Sequence, residues 1–245
     1  MVYTKDVFKS ELLRLAEGIS PEILTDDAID KLYIICEELD RCSKQFNLTA
    51  ITEPDEVLKK HIIDCLFLSE LVNNMTEGTF DLIDVGSGAG FPSLPLAASL
   101  PMGKICALDS TAKKIGYIRD TADKMGVSDF TAIASRAEDA ARSEMRESYD
   151  FACARAVARL AVLMELCVPF VKVGGYFISM KAAAAEEEVK EAESAAKKLG
   201  CEFVKMVPYT IADLHDKRFL VIYKKVSKTI STYPRNFSQI SKKPL

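Results

Sequence analysis

The stretch Phe80-Asp81-Leu82-Ile83-Asp84-Val85-Gly86-Ser87-Gly88-Ala89-Gly90-Phe91-Pro92 decides the fold. Residues 80–85 form a short, mostly apolar run that stops at a cluster of glycines, as a buried strand does before a tight turn. Gly86 permits the turn, Gly88 lets a ligand approach bare backbone, and Gly90 allows close contact between strand and helix. A helical stretch, 92–100, follows directly. Strand, glycine turn and helix in that order put the turn at the carboxyl end of the first strand of an open parallel sheet, where such sheets bind ligands.

The spacing narrows the ligand. A dinucleotide fingerprint reads Gly-x-Gly-x-x-Gly, but Phe91 occupies its last position. The chain has Gly-x-Gly-x-Gly preceded by an acid, the pattern of S-adenosylmethionine enzymes. It has no Gly-Lys-Ser/Thr, which excludes a nucleoside-triphosphate loop.

Outward from this loop the pattern repeats. Further strands are expected at 105–109, 130–134, 150–154 and 175–181, separated by helices at 112–125 and 157–171 and followed by one at 183–198. Apolar strands alternating with helices imply a parallel sheet covered on both faces. Two more strands, about 202–207 and 218–224, have no long helix between them and predict a closing antiparallel hairpin. The fold class is therefore α/β, a Rossmann-like doubly covered sheet of about seven strands. Before it, helices are expected at 4–17, at 26–45 and from Thr52 to about Val72. The organisation reads as a helical cap (1–75), an αβα domain (76–225) and a basic tail (226–245).

Composition limits the alternatives. With 49% apolar and 28% charged residues in 245, the chain is not a disordered one. The apolar run 161–171 is broken by Glu165 and too short for a bilayer, and Asp6 and Glu11 stand where an export signal needs an apolar core. A cytoplasmic protein without a membrane is expected. The seven cysteines show no Cys-x-x-Cys spacing and the two histidines are far apart, which argues against a metal cluster or a disulfide framework. Six basic residues and no acid fall in 224–245, while the first 223 residues carry 26 bases against 36 acids, a net charge of −10. An acidic body with a basic tail is a poor general nucleic-acid binder and is compatible with a polyanion docked at one place. A solvated, disordered tail is the plainer alternative.

Individual residues sharpen the site. Asp109 ends the second strand, 19 residues beyond Gly90, where a carboxylate can accept hydrogen bonds from a ribose diol. Asp109-Ser110-Thr111 also reads as a helix start. Ala137-Glu138 follows the third strand, beside the expected adenine position. Arg155 closes the fourth strand at the mouth of the site. His61 and Asp64 share a helical face, as either a structural pair or an RNA contact. Lys113, Lys114 and Arg119 lie early in a helix, where positive charge opposes the dipole, suggesting a phosphate contact against the alternative of a solvated face.

Together these motifs resemble the bacterial small-subunit ribosomal RNA guanine-N7 methyltransferases, the RsmG/GidB family. The resemblance runs nearly the full length. It is carried by Asn47-Leu48-Thr49, Lys60-His61-Ile62-Ile63-Asp64, Asp84 to Pro92, Asp109-Ser110 with Lys113-Lys114, Arg136-Ala137-Glu138, Ala154-Arg155-Ala156, Lys181, and Tyr233-Pro234-Arg235 with Lys243-Pro244. Cys65 replaces the family's usual serine, and Asn236 to Ile240 departs from its usual tail. The resemblance implies S-adenosylmethionine as cofactor and 16S RNA, within the small ribosomal subunit, as the partner of a monomeric enzyme. The expected cofactor residues are Gly86, Ser87, Gly88, Gly90, Phe91, Asp109, Ser110, Ala137, Glu138 and Arg155. His61, Lys113, Lys114, Arg136 and Lys181 are expected on the RNA side, and Arg155 is the catalytic candidate.

The chemistry agrees. Guanine N7 carries a lone pair and no proton, so methylation there needs alignment and electrostatics rather than a base. The chain lacks the Asp/Asn-Pro-Pro-aromatic motif of exocyclic-amine methylation and the Pro-Cys motif of ring-carbon methylation; Cys153 reads as core. A nicotinamide oxidoreductase on a similar sheet is disfavoured by Phe91 and the closing hairpin. A non-enzymatic assembly factor is disfavoured by the intact loop with Asp109 and Arg155. A small-molecule methyltransferase is set aside only by the family resemblance.

Overall fold

A computed structural model describes residues 2–44, 48–155 and 158–245; Asn47 and Ala156 of the quoted motifs lie outside the described residues. Three helical regions precede the sheet: α1 (Lys5–Leu15), α2 (Asp26–Ser43) and a continuous helix built from α3 (Pro54–Val57), a π-helical stretch (Leu58–Ile63) and α4 (Asp64–Asn73). Thr25 caps α2 by accepting from the Ala28 amide. The sequence predicts one unbroken helix here; the wide turn at 58–63 carries no Pro or Gly and has no sequence signal.

The strands are β1 (Phe80–Val85), β2 (Gly103–Asp109), β3 (Phe130–Ala134), β4 (Tyr149–Arg155), β5 (Val171–Lys181), β6 (Cys201–Tyr209) and β7 (Arg218–Lys225). They form one sheet in the order β3-β2-β1-β4-β5-β7-β6. The first five run parallel, and β7 lies antiparallel between β5 and β6. The expected closing hairpin is therefore present, with its second strand inserted inside the first. Between β1 and β4 the order reverses, which opens a crevice at their carboxyl ends.

Successive residues of each strand feed opposite layers. Leu82 packs with α1, α2, α5 (Ser93–Ser99) and α6 (Ala112–Met125), while Ile83 packs with α7 (Ala137–Ala140), α8 (Leu160–Cys167) and the helices after β5. Both residues are fully buried, which is why the strands read as apolar runs rather than alternating ones. Phe8, Leu12, Leu32 and Ile35 of the N-terminal helices share a core with Leu82 and Ile105 of the sheet.

Three expectations need correction. The helix placed at 157–171 begins at Leu160 and ends at Cys167; a 3-10 turn over Val168–Phe170, with amide-lacking Pro169, leads into β5 at Val171. The helix at 183–198 bends at Ala192 into α9 (Ala185–Glu191) and α10 (Glu193–Leu199), with Ala185, Ala192, Ala195 and Leu199 all buried. The tail is not a solvated appendage. Glu165, wholly buried, accepts from the Arg235 amide and from its Nε and Nη2; Arg142 and Arg146 hold the carbonyls of Pro234 and Tyr233. The tail ends in α11 (Phe237–Lys242), whose Ile240 is buried. Among the described residues, no helix is long and apolar enough to cross a membrane.

Candidate cofactor and RNA clefts

The glycine loop folds because its side chains serve the loop itself. Asp84, buried in β1, accepts from the Ser93 amide at 3.1 Å and so fixes the start of α5. Burial pushes its carboxyl up to about 6. Ser87 was expected to contact cofactor, but its hydroxyl is buried and donates to the Asp84 carbonyl at 3.0 Å, and its amide donates to the Leu108 carbonyl at 3.1 Å. A Cβ on Gly90 would meet Leu94 Cδ1 at 2.4 Å, so this glycine is the close strand–helix contact the spacing implied.

Above the loop lies a cleft of about 440 Å³. Gly86, Ser87, Gly88, Phe91, Asp109, Ser110, Arg136, Ala137, Glu138 and Arg155 line it, as do Lys114 and His61. Nearly all of the expected cofactor set thus converges, from the ends of β1, β2, β3 and β4; Gly90 acts from behind, through packing. A Cβ at Gly88, where φ is +59°, would point into open space with only the Gly86 carbonyl within 4 Å, so the cradle is bare backbone. Asp109 stands beside it. Its Oδ2 accepts from the Gly88 amide at 3.0 Å and its Oδ1 from the Thr111 amide at 2.8 Å. Of the two sequence readings of Asp109 the cleft-facing one fits, with lone pairs remaining for a diol; it is not the helix cap, because Thr111 is the N-cap of α6 and Asp109 braces only the turn before it. Bare cradle, acid and neighbouring amides fit a sulfonium nucleoside.

At the other end of the cleft Arg155 emerges from β4. Its Nη1 donates to the Lys60 carbonyl (2.8 Å) and to Asp64 Oδ2 (3.3 Å), and its Nη2 to His61 Nδ1 (3.1 Å). The guanidinium also lies 5.4 Å from the centre of the Phe91 ring, and His61 stacks on Phe91 with centroids 4.5 Å apart. His61 Nδ1 meets Arg155 Nη2 and, at 3.2 Å, the Lys60 carbonyl oxygen, while its Nε2 lies 3.1 Å from Thr49 Oγ1. Burial, then the positive field of Arg155, pushes the imidazole down to about 3. Asp64, 2% exposed, takes two further bonds, from Tyr209 Oη (2.7 Å) and Arg218 Nη1 (2.9 Å).

Arg155 and His61 are also a wall of a second cleft, about 540 Å³, lined further by Lys60, Arg159, Arg218 and Lys181. Among the described residues, the acids of its lining, Asp64 and Glu188, are each held by a cation, and Lys60 and Arg159 are paired with Glu56 and Glu191 outside it.

The expected RNA residues divide. Lys114 and Arg136 reach the first cleft, and Lys113 is exposed on α6 just outside its lining. His61 is buried and bonded on both ring nitrogens, a wall component rather than a surface contact. Lys181 is committed to Glu188 (2.7 Å) and the Ala158 carbonyl (2.7 Å), so the cation expected for RNA is locked inside the protein. Arg119 is tied to the Ala132 carbonyl of β3 at 3.0 Å. Cys153 is core: fully buried, with its thiol pushed well above its ordinary range by desolvation. Sequence reasoning missed Tyr209 and Arg218, which flank the closing hairpin's loop and hold Asp64, and Phe237, an aromatic within the basic tail that reaches the first cleft.

The sheet order with β7 inserted, together with the glycine cradle and its acid, defines an S-adenosylmethionine-dependent methyltransferase. A SAM-dependent methyltransferase from Aquifex aeolicus superposes with a TM-score of 0.52 at 17% identity, covering 71% of this chain and 94% of that one. A SAM-dependent O-methyltransferase from Thermotoga maritima gives 0.51 at 17% identity, over 79% and 73%. At such identities the likeness is one of fold. The family model for rRNA small subunit methyltransferase G (GidB) matches residues 28–217. Ribosomal RNA small subunit methyltransferase G of Clostridium botulinum is 37% identical over 97% of this chain and 99% of its own length, and that of Ligilactobacillus salivarius is 39% identical over 91% and 93%. The chain belongs to the rRNA small subunit methyltransferase G family.

Proposed function

We propose that the protein transfers the methyl group of S-adenosylmethionine to N7 of a guanine in 16S ribosomal RNA, acting in the cytoplasm as a monomer on the small subunit. The observation that carries this is the shared wall. Arg155 and His61 separate a nucleoside-sized cleft floored by glycine backbone from a second cleft, which Lys60, Arg159 and Arg218 also line.

S-adenosylmethionine supplies a methyl on a sulfonium, with a neutral thioether leaving. Gly86 and Gly88 offer backbone to it, Asp109 accepts from its sugar, and Ala137 and Glu138 border its base. Arg155 orients the acceptor by donating to the guanine carbonyl oxygen, which lies beside N7 on the same edge. It stays protonated and is no base. His61, buried and neutral, has both ring nitrogens committed to protein partners and removes no proton either. N7 has no proton to lose, so its methylation needs no base. Lys113, Lys114 and Arg136 at the cleft rim bind phosphates.

The acidic body, net −10 before residue 224, supplies little non-specific attraction to RNA and supports an assembled subunit, recognised by shape, as substrate. A labelled-methyl assay tests the proposal: subunits from a strain lacking the protein should accept one methyl, mapped to guanine N7. Label on another atom, or none, overturns it.

A further inference from the structure

The C-terminal segment is anchored on both sides of Phe237. Two residues before it, Arg235 forms three hydrogen bonds with buried Glu165; three residues after it, Ile240 is wholly buried against the α8 side of the sheet. Arg235 Nη2 also donates to the Lys243 carbonyl at 3.0 Å, closing the segment on itself across α11. A side chain between such anchors has a fixed place. Yet the Phe237 ring is 43% exposed, and what it faces is the first cleft.

The position of the ring within that cleft identifies what it would meet. The cleft is built in strand order, from Arg155 on β4 through Gly86 and Asp109 to Ala137 beyond β3. If Asp109 holds the sugar, the base lies on the Ala137 side, away from Arg155. Phe237 joins Leu163 and Leu166 of α8 in the lining, and these share a core with Ile240, Ala140 and, packed against it, Ala137, so the ring enters from the side beyond β3. The methionine end of the cofactor carries an ammonium and a carboxylate and gains nothing from a phenyl ring. The adenine is flat, apolar on its faces, and is the part that an aromatic side chain stabilises by stacking.

We propose that Phe237 covers the adenine of bound S-adenosylmethionine, making the C-terminal segment a wall of the cofactor site. This rests on the assignment of the first cleft to that cofactor. It gives the tail a role in cofactor binding that its basic composition alone did not suggest.

The chain contains no tryptophan, so Phe237→Trp places the protein's only indole at the site. Titration of this variant with S-adenosylmethionine should change its emission, saturating at the Kd found by calorimetry. Phe237→Ala should weaken binding about five- to hundred-fold, by the same factor for adenosine as for the whole cofactor, and Phe237→Tyr should restore it. Equal factors for both ligands mark contact with the base, which general loosening of the tail would not produce. If the cofactor binds parent and Phe237→Ala alike and the indole emission stays constant, the inference is overturned while the cofactor assignment stands. If calorimetry finds no binding to the parent protein, both fall together.

Discussion

Arg155 Nη2 lies 3.1 Å from His61 Nδ1, so a histidine held neutral first by burial also faces a permanent positive charge. A second proton on the ring would be both desolvated and set against that like charge. Below about pH 6.5 an unfolded chain binds a proton at His61, whereas the folded chain does not until about pH 3. Folding stability therefore falls as pH drops through that window. Asp84 acts oppositely: its folded value near 6, above the ordinary carboxylate range, removes stability as pH rises from about 4 to 6. In His61→Gln the Asp84 contribution is unchanged, so the difference between the two curves reads His61 alone. Urea denaturation from pH 4 to 7 should show the variant losing less stability on acidification than the parent, and parallel curves would refute this protonation scheme.

Asp64 is the counter-ion for two guanidiniums at once, those of Arg155 and Arg218, and also accepts from Tyr209. Asp64→Asn keeps the shape but leaves buried positive charge without compensation. It should lower stability by about 3–5 kcal/mol in chemical denaturation. A loss below 1 kcal/mol would show that solvent reaches this network.

Asp109 closes the glycine loop and faces the cleft. Asp109→Ala removes both its backbone bonds and its grip on the sugar, and should weaken S-adenosylmethionine at least ten-fold by calorimetry. An unchanged Kd would defeat the ribose assignment.

Gly90→Ala sets a Cβ against Leu94 at a backbone φ of +85°. Overpacking and strain together should cost about 1–3 kcal/mol in thermal or chemical unfolding. Gly78→Ala is the useful contrast: its φ is +114° but nothing lies within 4 Å, so backbone strain acts there without crowding. Gly90→Ala should be the more destabilised of the two, since it alone adds crowding against Leu94.

Lys113→Ala/Lys114→Ala should slow methylation of ribosomal subunits and leave the cofactor Kd nearly unchanged. Equal loss of both would point to a damaged α6 rather than a phosphate contact.

Much of this was legible in the sequence. β1, β3 and α6 fall where apolar runs, glycine and capping residues place them, because local patterning alone sets those boundaries. The floor of the first cleft was equally readable: a glycine loop and an acid at fixed spacing must meet once the sheet is parallel. What stayed hidden depends on contacts across the fold. Nothing near Lys181 in sequence announces that Glu188, on the helix after it, will hold it inside. His61 has a polar name and a buried place because Arg155, 94 residues away, offers it a bond. The tail leaves a solvated reading open because its four bases have no acid among them, while the acid that docks it, Glu165, looks like an interruption in an apolar run.

The placement of β7 between β5 and β6 has a temporal meaning. A chain leaving the ribosome exposes Cys201–Tyr209 before Arg218–Lys225 exists, and in that interval neither β6 nor the free side of β5 has its neighbour. The sheet is sealed by late synthesis, and the segment bearing Phe237 emerges later still. A message cut short before codon 218 would yield a product with two raw edges, prone to sticking to its fellows.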